Sequence, residues 1–425
     1  MKKAVILAAG DSTRMLPLSA NQPKHLLPVA GKPLIFHTME GLERAGIKET
    51  LVVYGYHADK LRETVESKTW TMGISFVDQK ERKGTGHAAG YAKKFVRKDD
   101  AILIYGDVLV GPGTFEGLID FHERGEYALT LSTKSVEDPS AYGVVVAKKG
   151  KATSLIEKPN PEELTSDLVN AGVYAIGEPL WKAIDKTELS PRGEYEITDS
   201  ISMLIKEGNV GAYELPSWWI DIGKPWDLLE ANKVILETGQ RRIEGTVEEG
   251  AVIKGNSIVE AGATIKSGAY IEGPVFIGEN SVVGPNCYIR AHTSLGKSVK
   301  IGNAVEIKNS IIMDGTNVGH LSYVGDSIIG QRANFGAGTI TANLRHDNRS
   351  IFVTVKGERF NSKRRKLGAI IGDDVKTGIG TSIGPGVVIH QGARTGVGVI
   401  VDRDIKPNKL VITKQQQVIM DTDHK

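Results

Sequence analysis

The sequence predicts two folds in series, an α/β domain over residues 1–225 and an all-β parallel β-helix over residues 243–410. Two observations support this prediction. In the first half, short apolar runs alternate with helical patterns, an order typical of a parallel sheet with helices on both faces. In the second half, every sixth residue from Val247 to Met313 is aliphatic. A six-residue period fits neither an α-helix nor an amphipathic strand, but it fits the coils of a hexapeptide repeat.

The α/β half contains its alternating elements in order along the chain. The strand candidates are Lys3–Leu7, which we expect to be buried, Thr50–Tyr54, Ile74–Val77 and Ala101–Ile104. The predicted helices are Pro33–Ala45, Ala58–Ser67, His87–Phe95 and Thr114–Glu123. Later strands, expected to decorate the sheet, are Tyr127–Ser132, Gly143–Ala147 and Gly172–Ile176. A helical pattern from Lys224 to Glu237 predicts a linker helix, which we assign to residues 226–242.

The hexapeptide period sets the geometry of the second half. Three hexads would close one triangular coil, with the large aliphatic residue inside and a small residue at the corner. Cys287 occupies a small-residue position and is expected to be a core filler. After Met313 the next aliphatic residue of the repeat, Val318, comes five positions later instead of six. A second such one-residue slip in the repeat precedes Ile329. Slips in a regular coil are typical of a bulge or a functional site.

The composition limits the kind of protein. A length of 425 residues exceeds one ordinary domain, and a net charge of +2 gives no reason to expect a nucleic acid or a membrane as partner. The single cysteine excludes internal disulfides and suits a reducing cytosol, so we expect a cytoplasmic protein. No apolar run approaches the roughly 20 residues that a membrane-spanning helix needs.

A glycine turn and a proline-flanked lysine lie early in the first half. The first strand runs into L-A-A-G-D-S-T-R, residues 7–14, where a turn at Gly10 can present backbone N–H groups to an anion and Arg14 can clamp a phosphate. The segment Q-P-K-H-L-L-P-V-A-G-K-P, residues 22–33, places Lys24 between two prolines as a stiffly held charge. A plain strand and turn would explain the first segment about as well.

Together these segments resemble the signature of the sugar-1-phosphate nucleotidylyltransferases, L-A-A-G-x-G-T-R-M followed by P-K-x-L-x-P-V-x-G-K-P. The resemblance implies a Rossmann-like nucleotidyltransferase fold, with Arg14 and Lys24 as catalytic cations. The nucleotide-binding residues that it implies here are Leu7, Ala8, Gly10, Arg14 and Lys24. Ser12 stands where the family often has a second glycine, a departure that restricts the turn.

Further segments match this family residue by residue. Gln79, five residues before G-T-G-H-A, resembles the base-reading glutamine, and Gly84 and Thr85 would let the nucleotide lie close. Asp107 in Y-G-D and Asp221 in W-I-D-I-G resemble the Mg²⁺ carboxylates, and Mg²⁺ needs only one or two carboxylates beside phosphate oxygens. Taken alone, each aspartate would more simply be a solvated strand end. The residues that resemble the sugar-phosphate contacts are Gly143, Glu157, Lys158 and Asn170.

The implied reaction is attack by a sugar phosphate on the α-phosphorus of UTP or dTTP, with release of pyrophosphate. Such a transfer needs positioning and charge neutralisation rather than a protein nucleophile. The choice between the two bases and the range of hexosamine 1-phosphates, including galactosamine 1-phosphate, stay open.

A second group of polar residues lies in the hexapeptide half. Arg290 and Lys308 are 18 residues apart, so they should stack in neighbouring coils at about 4.8 Å, the usual strand spacing. Two stacked cations repel unless an anion lies over them, which favours a phosphate clamp; solvated side chains are the simpler alternative. His320 follows Lys308 by twelve residues and, taken alone, would more often be structural.

Two segments around His320 resemble the bacterial-type glucosamine-1-phosphate acetyltransferase. V-G-H-L-S-Y-V-G-D, residues 318–326, is similar to its N-H-L-T-Y-x-G-D, and N-F-G-A-G-T-I-T-A-N, residues 334–343, is similar to its N-I-G-A-G-T-I-T-x-N. The resemblance implies a left-handed β-helix, a homotrimer with the site between neighbours, and His320 as general base for the attacking amine. The other residues that it implies are Arg290, Lys308 and Tyr323 for the sugar phosphate, Asn334 and Asn343 for the sugar and acetyl group, and Ala337 for acetyl-CoA.

The hexapeptide period is interrupted from Leu344 to Leu367, which predicts a loop excursion over 344–368. This segment carries eight Lys or Arg against two acidic residues and resembles a V-x-V-x-G-x-R-x-x-x-x-R-R-K-L-G segment of archaeal-type bifunctional enzymes. It could bind the phosphates of acetyl-CoA, or be a solvated lid or a trimer contact. RNA binding has little support, because only Phe352 and Phe360 offer a stacking surface. The tail, 411–425, carries no pattern.

Over about residues 1–410, the chain is thus identified as a member of the archaeal-type bifunctional family. Membership implies acetyl-CoA-dependent N-acetylation of glucosamine 1-phosphate in the second half, and Mg²⁺-dependent uridylyl transfer from UTP to N-acetylglucosamine 1-phosphate in the first. One alternative is a monofunctional sugar-1-phosphate nucleotidylyltransferase, for glucose 1-phosphate with UTP or dTTP, whose β-helix only assembles or regulates. Another is a non-enzymatic regulatory subunit on the same folds. His320 argues against the former, and Arg14, Lys24, Asp107 and Asp221 argue against the latter.

Overall fold

The structure, a computed structural model, describes residues 1–414. Within these residues the chain forms two units. The first comprises Met1–Thr13, Asn21–Leu27 and Lys32–Gly223, and the second comprises Arg14–Ala20, Pro28–Gly31 and the chain from Lys224 onward. Of the predicted tail, residues 415–425 lie outside the described part of the chain.

The first unit is built on a mixed β-sheet. Its strands, in chain order, are β1 Lys3–Ala8, β2 Glu49–Tyr54, β3 Gly73–Asp78, β4 Ala101–Tyr105, β5 Leu129–Ser135, β6 Gly143–Lys148, β7 Lys151–Glu157, β8 Leu168–Ile176 and β9 Val210–Glu214. The spatial order is β3-β2-β1-β4-β8-β5-β9-β7-β6. Strands β3, β2, β1 and β4 are parallel, and β8 then lies antiparallel to β4. The predicted Rossmann-like fold is therefore confirmed, and the four strand candidates form its parallel half, with Gly73–Asp78 at the edge.

Helices cover this sheet and connect its strands. They are α1 Leu34–Arg44, α2 Ala58–Glu66, α3 Thr85–Gly90, α4 Lys93–Val96, α5 Thr114–Gly125, α6 Glu178–Ile184 and α7 Ile197–Glu207. Short 3-10 turns are Thr13–Met15, Lys24–Leu26, Pro139–Ala141 and Pro161–Glu163, and short strands are Pro28–Val29, Lys32–Pro33, Val108–Val110 and Trp219–Asp221. The predicted helix His87–Phe95 is wrong in extent, because the chain breaks it after Gly90, a poor helix former.

The parallel half places the signature turn at one edge of the sheet. Strand β1 is buried along its length, since it pairs on both sides with parallel strands. The turn at Gly10 and the segment Gly106–Asp107 both follow the carboxyl ends of adjacent strands. Gly106 N–H donates to the Leu7 carbonyl at 2.8 Å, so the two loops are joined. Ligands of open α/β sheets bind at this edge.

The second unit is a parallel β-helix with three faces over residues 242–411. Face A contains Arg242–Ile243, Ser257–Val259, Val275–Ile277, Thr293–Leu295, Ile311–Ile312, Ile328–Ile329, Ile370–Ile371 and Val388–Ile389. Face B contains Thr246–Val247, Thr264–Ile265, Val282–Val283, Lys300–Asn303, Asn317–His320, Asn334–Phe335, Arg394–Thr395 and Leu410–Val411. Face C contains Val252–Lys254, Tyr270–Glu272, Tyr288–Ile289, Glu306–Lys308, Tyr323–Gly325, Ile340–Thr341, Ser382–Ile383 and Ile400–Val401. The predicted parallel β-helix is confirmed.

The inward residues form one continuous apolar core. Ile265, Val283 and Ile301 stack on face B in successive coils of 18 residues, and each is at most 1% exposed. Cys287 lies in the same core, and burial raises its pKa to about 12. A thiol with that pKa is unreactive at neutral pH, which agrees with its expected role as a filler.

The two register slips lie at one corner of the β-helix. The inward residue opposite Leu295 is Ile312, so Met313 does not continue the inward row as predicted. The first slip therefore precedes Met313, within the short turn that follows Lys308. The second slip shortens the turn at Asp326 in the same way, since Ile312 is opposite Ile329, 17 residues later. Both turns join face C to face A, and we name this edge corner C/A.

Helix α8, Asp227–Thr238, lies over face A. Its Asn232 is fully buried and accepts hydrogen bonds from Ala30 N–H at 2.9 Å and Ser294 Oγ at 2.6 Å. The same side chain donates to the His292 carbonyl at 2.8 Å. Every polar atom of this buried amide is thus used, as burial requires.

The excursion over 344–368 contains an antiparallel hairpin, Phe352–Val355 and Glu358–Asn361. It leaves and re-enters the β-helix at corner C/A, where Leu367 N–H donates to the Asn343 carbonyl at 3.0 Å. Lys224 lies 5.0 Å from the centre of the Phe360 ring. Among residues 1–414, no helix combines the length and the apolar character needed to cross a bilayer.

Candidate functional site: a cation–carboxylate site and a β-helix corner

A partly buried ion pair lies at the carboxyl edge of the first sheet. Lys24, on a 3-10 turn, contacts the Asp107 carboxylate through its ammonium group. Burial alone would raise the pKa of Asp107, but the charge and the hydrogen bond of Lys24 outweigh burial and lower it. The structure therefore brings together two of the residues predicted for uridylyl transfer and keeps this carboxyl ionised.

The second predicted metal carboxylate lies beside the first. The short strand Trp219–Asp221 pairs antiparallel with Val108–Val110, with Asp221 opposite Val108. Ile222 N–H then donates to the Asp107 carbonyl at 2.9 Å. Within residues 1–414 no cluster of three or more His, Cys, Asp or Glu side chains is arranged for a metal. A pair of carboxylates at a phosphate site is the donor set that Mg²⁺ accepts when phosphate oxygens and water complete its shell.

The Gly10 turn accommodates Ser12 in an unexpected way. Ser12 has φ +57°, the left-handed conformation in which glycine is favoured, and this explains why related turns carry glycine here. Its hydroxyl accepts the Lys24 backbone N–H at 3.0 Å. The serine thus links the turn to the segment that carries Lys24. Leu7 and Ala8 end β1 beside this turn, while Arg14 is exposed and belongs to the second unit.

The predicted base-reading glutamine has a defined orientation. Gln79 Nε2 donates to the Gly84 carbonyl at 3.3 Å and lies 3.1 Å from His87 Nδ1. A carbonyl only accepts, so the nitrogen of the amide must face Gly84. Gly84 has φ +99°, and a Cβ there would lie 2.6 Å from the Tyr195 carbonyl. Thr85 Oγ1 accepts Ile197 N–H at 3.0 Å, so its hydroxyl serves the local fold.

The residues predicted to contact the sugar phosphate surround one patch of the sheet. Gly143 pairs with Glu157, and a Cβ on Gly143 would lie 2.9 Å from Glu157 Oε2 and 3.6 Å from Asn170 Cβ. Asn170 donates to Tyr174 Oη at 2.7 Å. Lys158 is exposed, with φ +46°. The structure therefore brings Gly143, Glu157 and Asn170 together, with Lys158 next in the chain.

Sequence reasoning missed His25 beside the ion pair. It is 1% exposed, and burial together with the charge of Lys24 lowers its pKa to about 3. A Cβ on Gly106 would lie 2.9 Å from its ring, so the neutral imidazole packs beneath the loop that carries Asp107. His25 is part of the motif P-K-H-L, but the sequence analysis assigned a role only to its neighbour Lys24.

In the second unit, the predicted sugar-phosphate residues meet at corner C/A. Arg290 donates to Glu306 at 2.9 Å, and Lys308 Nζ lies 3.3 Å from Asp326 Oδ2. Each cation therefore has a carboxylate of its own, and their stacking does not by itself require a bound anion. Neither acid was singled out from the sequence, since the pairing depends on which side chains the coils stack.

Tyr323 and Asn343 lie beside this pair of cations. Asn343 Nδ2 donates to Tyr323 Oη at 3.1 Å and to Asp326 Oδ2 at 2.5 Å. Asn334 is on face B, where its side chain accepts from Asn317 at 3.1 Å. Within one chain, the structure brings Lys308, Tyr323 and Asn343 together but does not bring Asn334 to them.

His320 and Ala337 lie at the opposite edge of face C, which we name corner B/C. His320 is exposed, and its carbonyl accepts Gly338 N–H at 3.3 Å, so Ala337 lies in the next coil. Ile379 and Val397 continue the same corner, since Gly380 N–H donates to Ala337 and Gly398 N–H to Ile379, both at 2.8 Å. The excursion leaves the β-helix at corner C/A. The basic hairpin and Ala337 therefore lie on different edges of the β-helix.

Comparisons with known proteins agree with this division. A family model described as nucleotidyl transferase matches residues 3–238, more than half of the chain, and one described as GMPPB C-terminal domain matches residues 271–365. A bifunctional protein GlmU from Methanococcus maripaludis is 42% identical over 98% of this chain and 98% of its own length. A bifunctional sugar-1-phosphate nucleotidylyltransferase/acetyltransferase from Sulfurisphaera tokodaii is also 42% identical, over 95% of this chain and 98% of its own.

A solved structure, UDP-glucose pyrophosphorylase complexed with UDP-glucose, superposes with a TM-score of 0.52 at 24% identity, covering 56% of this chain and all of the other. That likeness shows the nucleotidyltransferase fold. The end-to-end matches favour the bifunctional interpretation over a monofunctional enzyme with a structural β-helix. The chain belongs to the nucleotidyl transferase family and, over nearly its whole length, to the bifunctional sugar-1-phosphate nucleotidylyltransferase/acetyltransferases, as its motifs predicted.

Proposed function

We propose that the protein makes UDP-N-acetylglucosamine in two steps. The β-helix unit acetylates glucosamine 1-phosphate with acetyl-CoA, and the α/β unit transfers UMP from UTP to N-acetylglucosamine 1-phosphate. One observation carries this proposal: a chain that matches bifunctional relatives over 98% of its length has the Lys24–Asp107 ion pair in its first unit and a cluster of Lys308, Tyr323, Asp326 and Asn343 in its second.

For uridylyl transfer, a phosphate oxygen of the sugar attacks the α-phosphorus of UTP, and the bond to the bridging oxygen breaks as pyrophosphate leaves. Lys24 supplies positive charge where negative charge develops, and Arg14 has the role that its signature position predicts. Asp107 and Asp221 would hold Mg²⁺, which when bound supplies further charge neutralisation. Lys24 keeps the buried Asp107 compensated.

The orientation of Gln79 supports a base with an N–H at position 3. Both amide hydrogens of Gln79 face Gly84 and His87, so Oε1 is left to accept. Uracil and thymine donate from N3, whereas the N3 of cytosine and the N1 of adenine only accept. Among the pyrimidine nucleotides, this orientation favours UTP or dTTP over CTP.

The sugar phosphate is placed by the patch around Glu157. The Lys158 ammonium would hold the phosphate, while Glu157 and Asn170 would read ring hydroxyls or the 2-substituent. Asn170 Nδ2 is held by Tyr174 at 2.7 Å, so the side chain is positioned before a sugar arrives. Gly143 leaves open the space beside Glu157 that a larger residue would fill.

For acetyl transfer, the amine of glucosamine 1-phosphate attacks the thioester carbon of acetyl-CoA. The amine proton goes to His320, the carbon–sulfur bond breaks, and the leaving sulfur takes that proton from His320, so CoA leaves as its thiol. Lys308, Arg290 and Tyr323 would hold the phosphate, and Asn334 and Asn343 would position the sugar and acetyl group. The apolar corner formed by Ala337, Ile379 and Val397 would pack against the pantetheine arm.

The site residues on faces B and C would be completed by a neighbouring copy in a homotrimer. Asn334 does not reach the corner C/A residues within one chain, which supports a site shared between copies. Ile400, on face C, is 76% exposed, an apolar side chain that self-association would bury. Sedimentation of the full chain tests this, and a monomer would contradict it.

Two assays separate this proposal from its alternatives. His320→Ala should abolish thiol release from acetyl-CoA with glucosamine 1-phosphate and leave pyrophosphate release intact. Asp107→Ala should abolish pyrophosphate release from UTP with N-acetylglucosamine 1-phosphate and leave thiol release intact. A wild-type chain without thiol release would favour the monofunctional alternative, and one without either activity would favour a regulatory subunit.

A further inference from the structure

A buried carboxylate lies at corner C/A among the residues proposed to hold the amino sugar phosphate. Asp326 is 3% exposed. Its N–H donates to the Lys308 carbonyl at 2.9 Å, and its carbonyl accepts Gly368 N–H at 2.8 Å. These bonds to both neighbouring coils hold the residue at φ +48° in the shortened turn where the register slips. Asn309 holds the equivalent turn of the preceding coil at φ +44°, so this conformation is common to the two shortened turns.

Three side chains converge on this carboxylate. Oδ1 accepts from Asn309 Nδ2 at 2.7 Å. Oδ2 accepts from Asn343 Nδ2 at 2.5 Å and lies 3.3 Å from Lys308 Nζ. An ionised carboxylate can only accept, so each neighbour must turn an N–H group toward Asp326. A buried carboxylate without such donors would be strongly destabilising, which is why the whole group is ordered together.

This arrangement decides what the neighbouring residues offer to a ligand. Asn343 gives its second N–H to Tyr323 Oη at 3.1 Å, so its Oδ1 is left as an acceptor. No donor in the described part of the chain reaches that oxygen. Tyr323 Oη accepts from Asn343, and its own hydrogen remains to be donated. Burial raises the pKa of Tyr323 and the charge of Asp326 raises it further, so the phenol keeps that hydrogen.

We propose that Asp326 is a positioning residue for acetyl transfer, which makes Lys308 and Tyr323 donors and Asn343 an acceptor toward the substrate. A ligand that fits places phosphate oxygens at Lys308 and Tyr323 and a hydroxyl or amino donor at Asn343. An amino sugar phosphate has both groups. This inference rests on the acetyltransferase function proposed above and adds to it the residue that sets the hydrogen-bond polarity of the site.

Asp326→Asn tests the proposal. The new amide has one donor end, so it cannot accept from Asn309, Asn343 and Lys308 at once, and Asn343 is free to turn its N–H₂ toward the substrate. We expect KM for glucosamine 1-phosphate to rise about 10- to 100-fold while KM for acetyl-CoA stays within about twofold, in thiol-release assays on the full chain. Pyrophosphate release should be unchanged.

Asp373→Asn is the matched control. Asp373 is 2% exposed and accepts Gln331 N–H at 2.9 Å at the corner between faces A and B, away from face C. Loss of a buried corner carboxylate there should alter neither KM. Asn309→Ala removes one donor to Asp326 and leaves Tyr323 and Asn343 in place, because Asn309 bonds only the carboxylate of Asp326 in this network. KM for glucosamine 1-phosphate should rise there too, by less than in Asp326→Asn.

The outcomes separate this inference from the function on which it rests. A wild-type chain that releases no thiol overturns both. A wild-type chain that is active, with Asp326→Asn at wild-type KM or with both KM values rising together as for general damage, overturns the inference alone. If Asp326→Asn does not fold, the KM of Asn309→Ala decides: a rise for glucosamine 1-phosphate alone supports the proposed polarity and a wild-type value overturns it.

Discussion

Single residues beside the Lys24–Asp107 ion pair carry opposing effects on stability, and Ser12 shows this most directly. Its left-handed φ of +57° favours glycine, yet its hydroxyl satisfies the buried N–H of Lys24 at 3.0 Å. The sequence motif showed only a departure from the family pattern. The compensating hydrogen bond depends on how two loops meet, and no local pattern contains that information.

Two substitutions at Ser12 should therefore differ. Ser12→Ala leaves the Lys24 N–H unsatisfied and keeps the unfavourable φ, so it should destabilise the first unit by about 1–3 kcal/mol. Ser12→Gly loses the same bond but relieves the backbone, so its loss should be smaller by about 1 kcal/mol. Urea denaturation followed by tryptophan fluorescence measures both; equal losses would show that backbone conformation plays no part.

The histidine beside Gln79 should control base selection. In His87→Ala, Gln79 loses the acceptor that holds one of its hydrogens, and its amide can turn toward a cytosine ring. We expect the ratio of kcat/KM for UTP over CTP to fall about tenfold, the value of roughly one hydrogen bond. Lys83→Ala, at a neighbouring residue that carries an ion pair with Glu81, is the control and should keep the ratio. An unchanged ratio in His87→Ala would show that His87 does not set the orientation of the Gln79 amide.

At the scale of elements, the hexapeptide period was sufficient to predict the β-helix but not its irregularities. Ile311, Ile312 and Met313 are consecutive and aliphatic, so counting by six passes smoothly to Met313. Only the strand ladder shows that Ile312 is the inward residue. The hairpin of the excursion was missed for a related reason: its strands pair antiparallel with each other, outside the coil whose period carried the prediction.

Helix α8 offers a test of how an element is held in place. Asn232 is fully buried and bonds Ala30, His292 and Ser294. Asn232→Ala would strand at least two buried backbone groups, so the second unit should lose about 2–4 kcal/mol of unfolding free energy. Asn256→Ala, with an exposed side chain in the same unit, should cost less than about 0.5 kcal/mol. Similar losses in a urea titration would mean that α8 does not depend on this amide.

For the whole molecule, the sequence predicted which chemistry each half carries, because motif residues are close together in the chain. The motif residues lie within two short segments, 7–24 and 308–343, so residues that are close in the sequence are also close in the fold. The side chains that folding brings next to these motif residues were not predicted. Examples are His25, which packs beneath Gly106, and Glu306, which pairs with Arg290. Their roles depend on contacts across strands, which carry no local signature.

Two separate sites on one chain lead to a complementation prediction. His320→Ala should retain uridylyl transfer and Asp107→Ala should retain acetyl transfer, so neither alone should convert glucosamine 1-phosphate, acetyl-CoA and UTP into UDP-N-acetylglucosamine. An equimolar mixture should make it, after a lag while N-acetylglucosamine 1-phosphate accumulates in solution and reaches the other variant. The measurement is product formation by chromatography over time, with each variant alone as control. A mixture that stays inactive while each variant keeps its own half-reaction would mean that the intermediate does not pass freely through solvent.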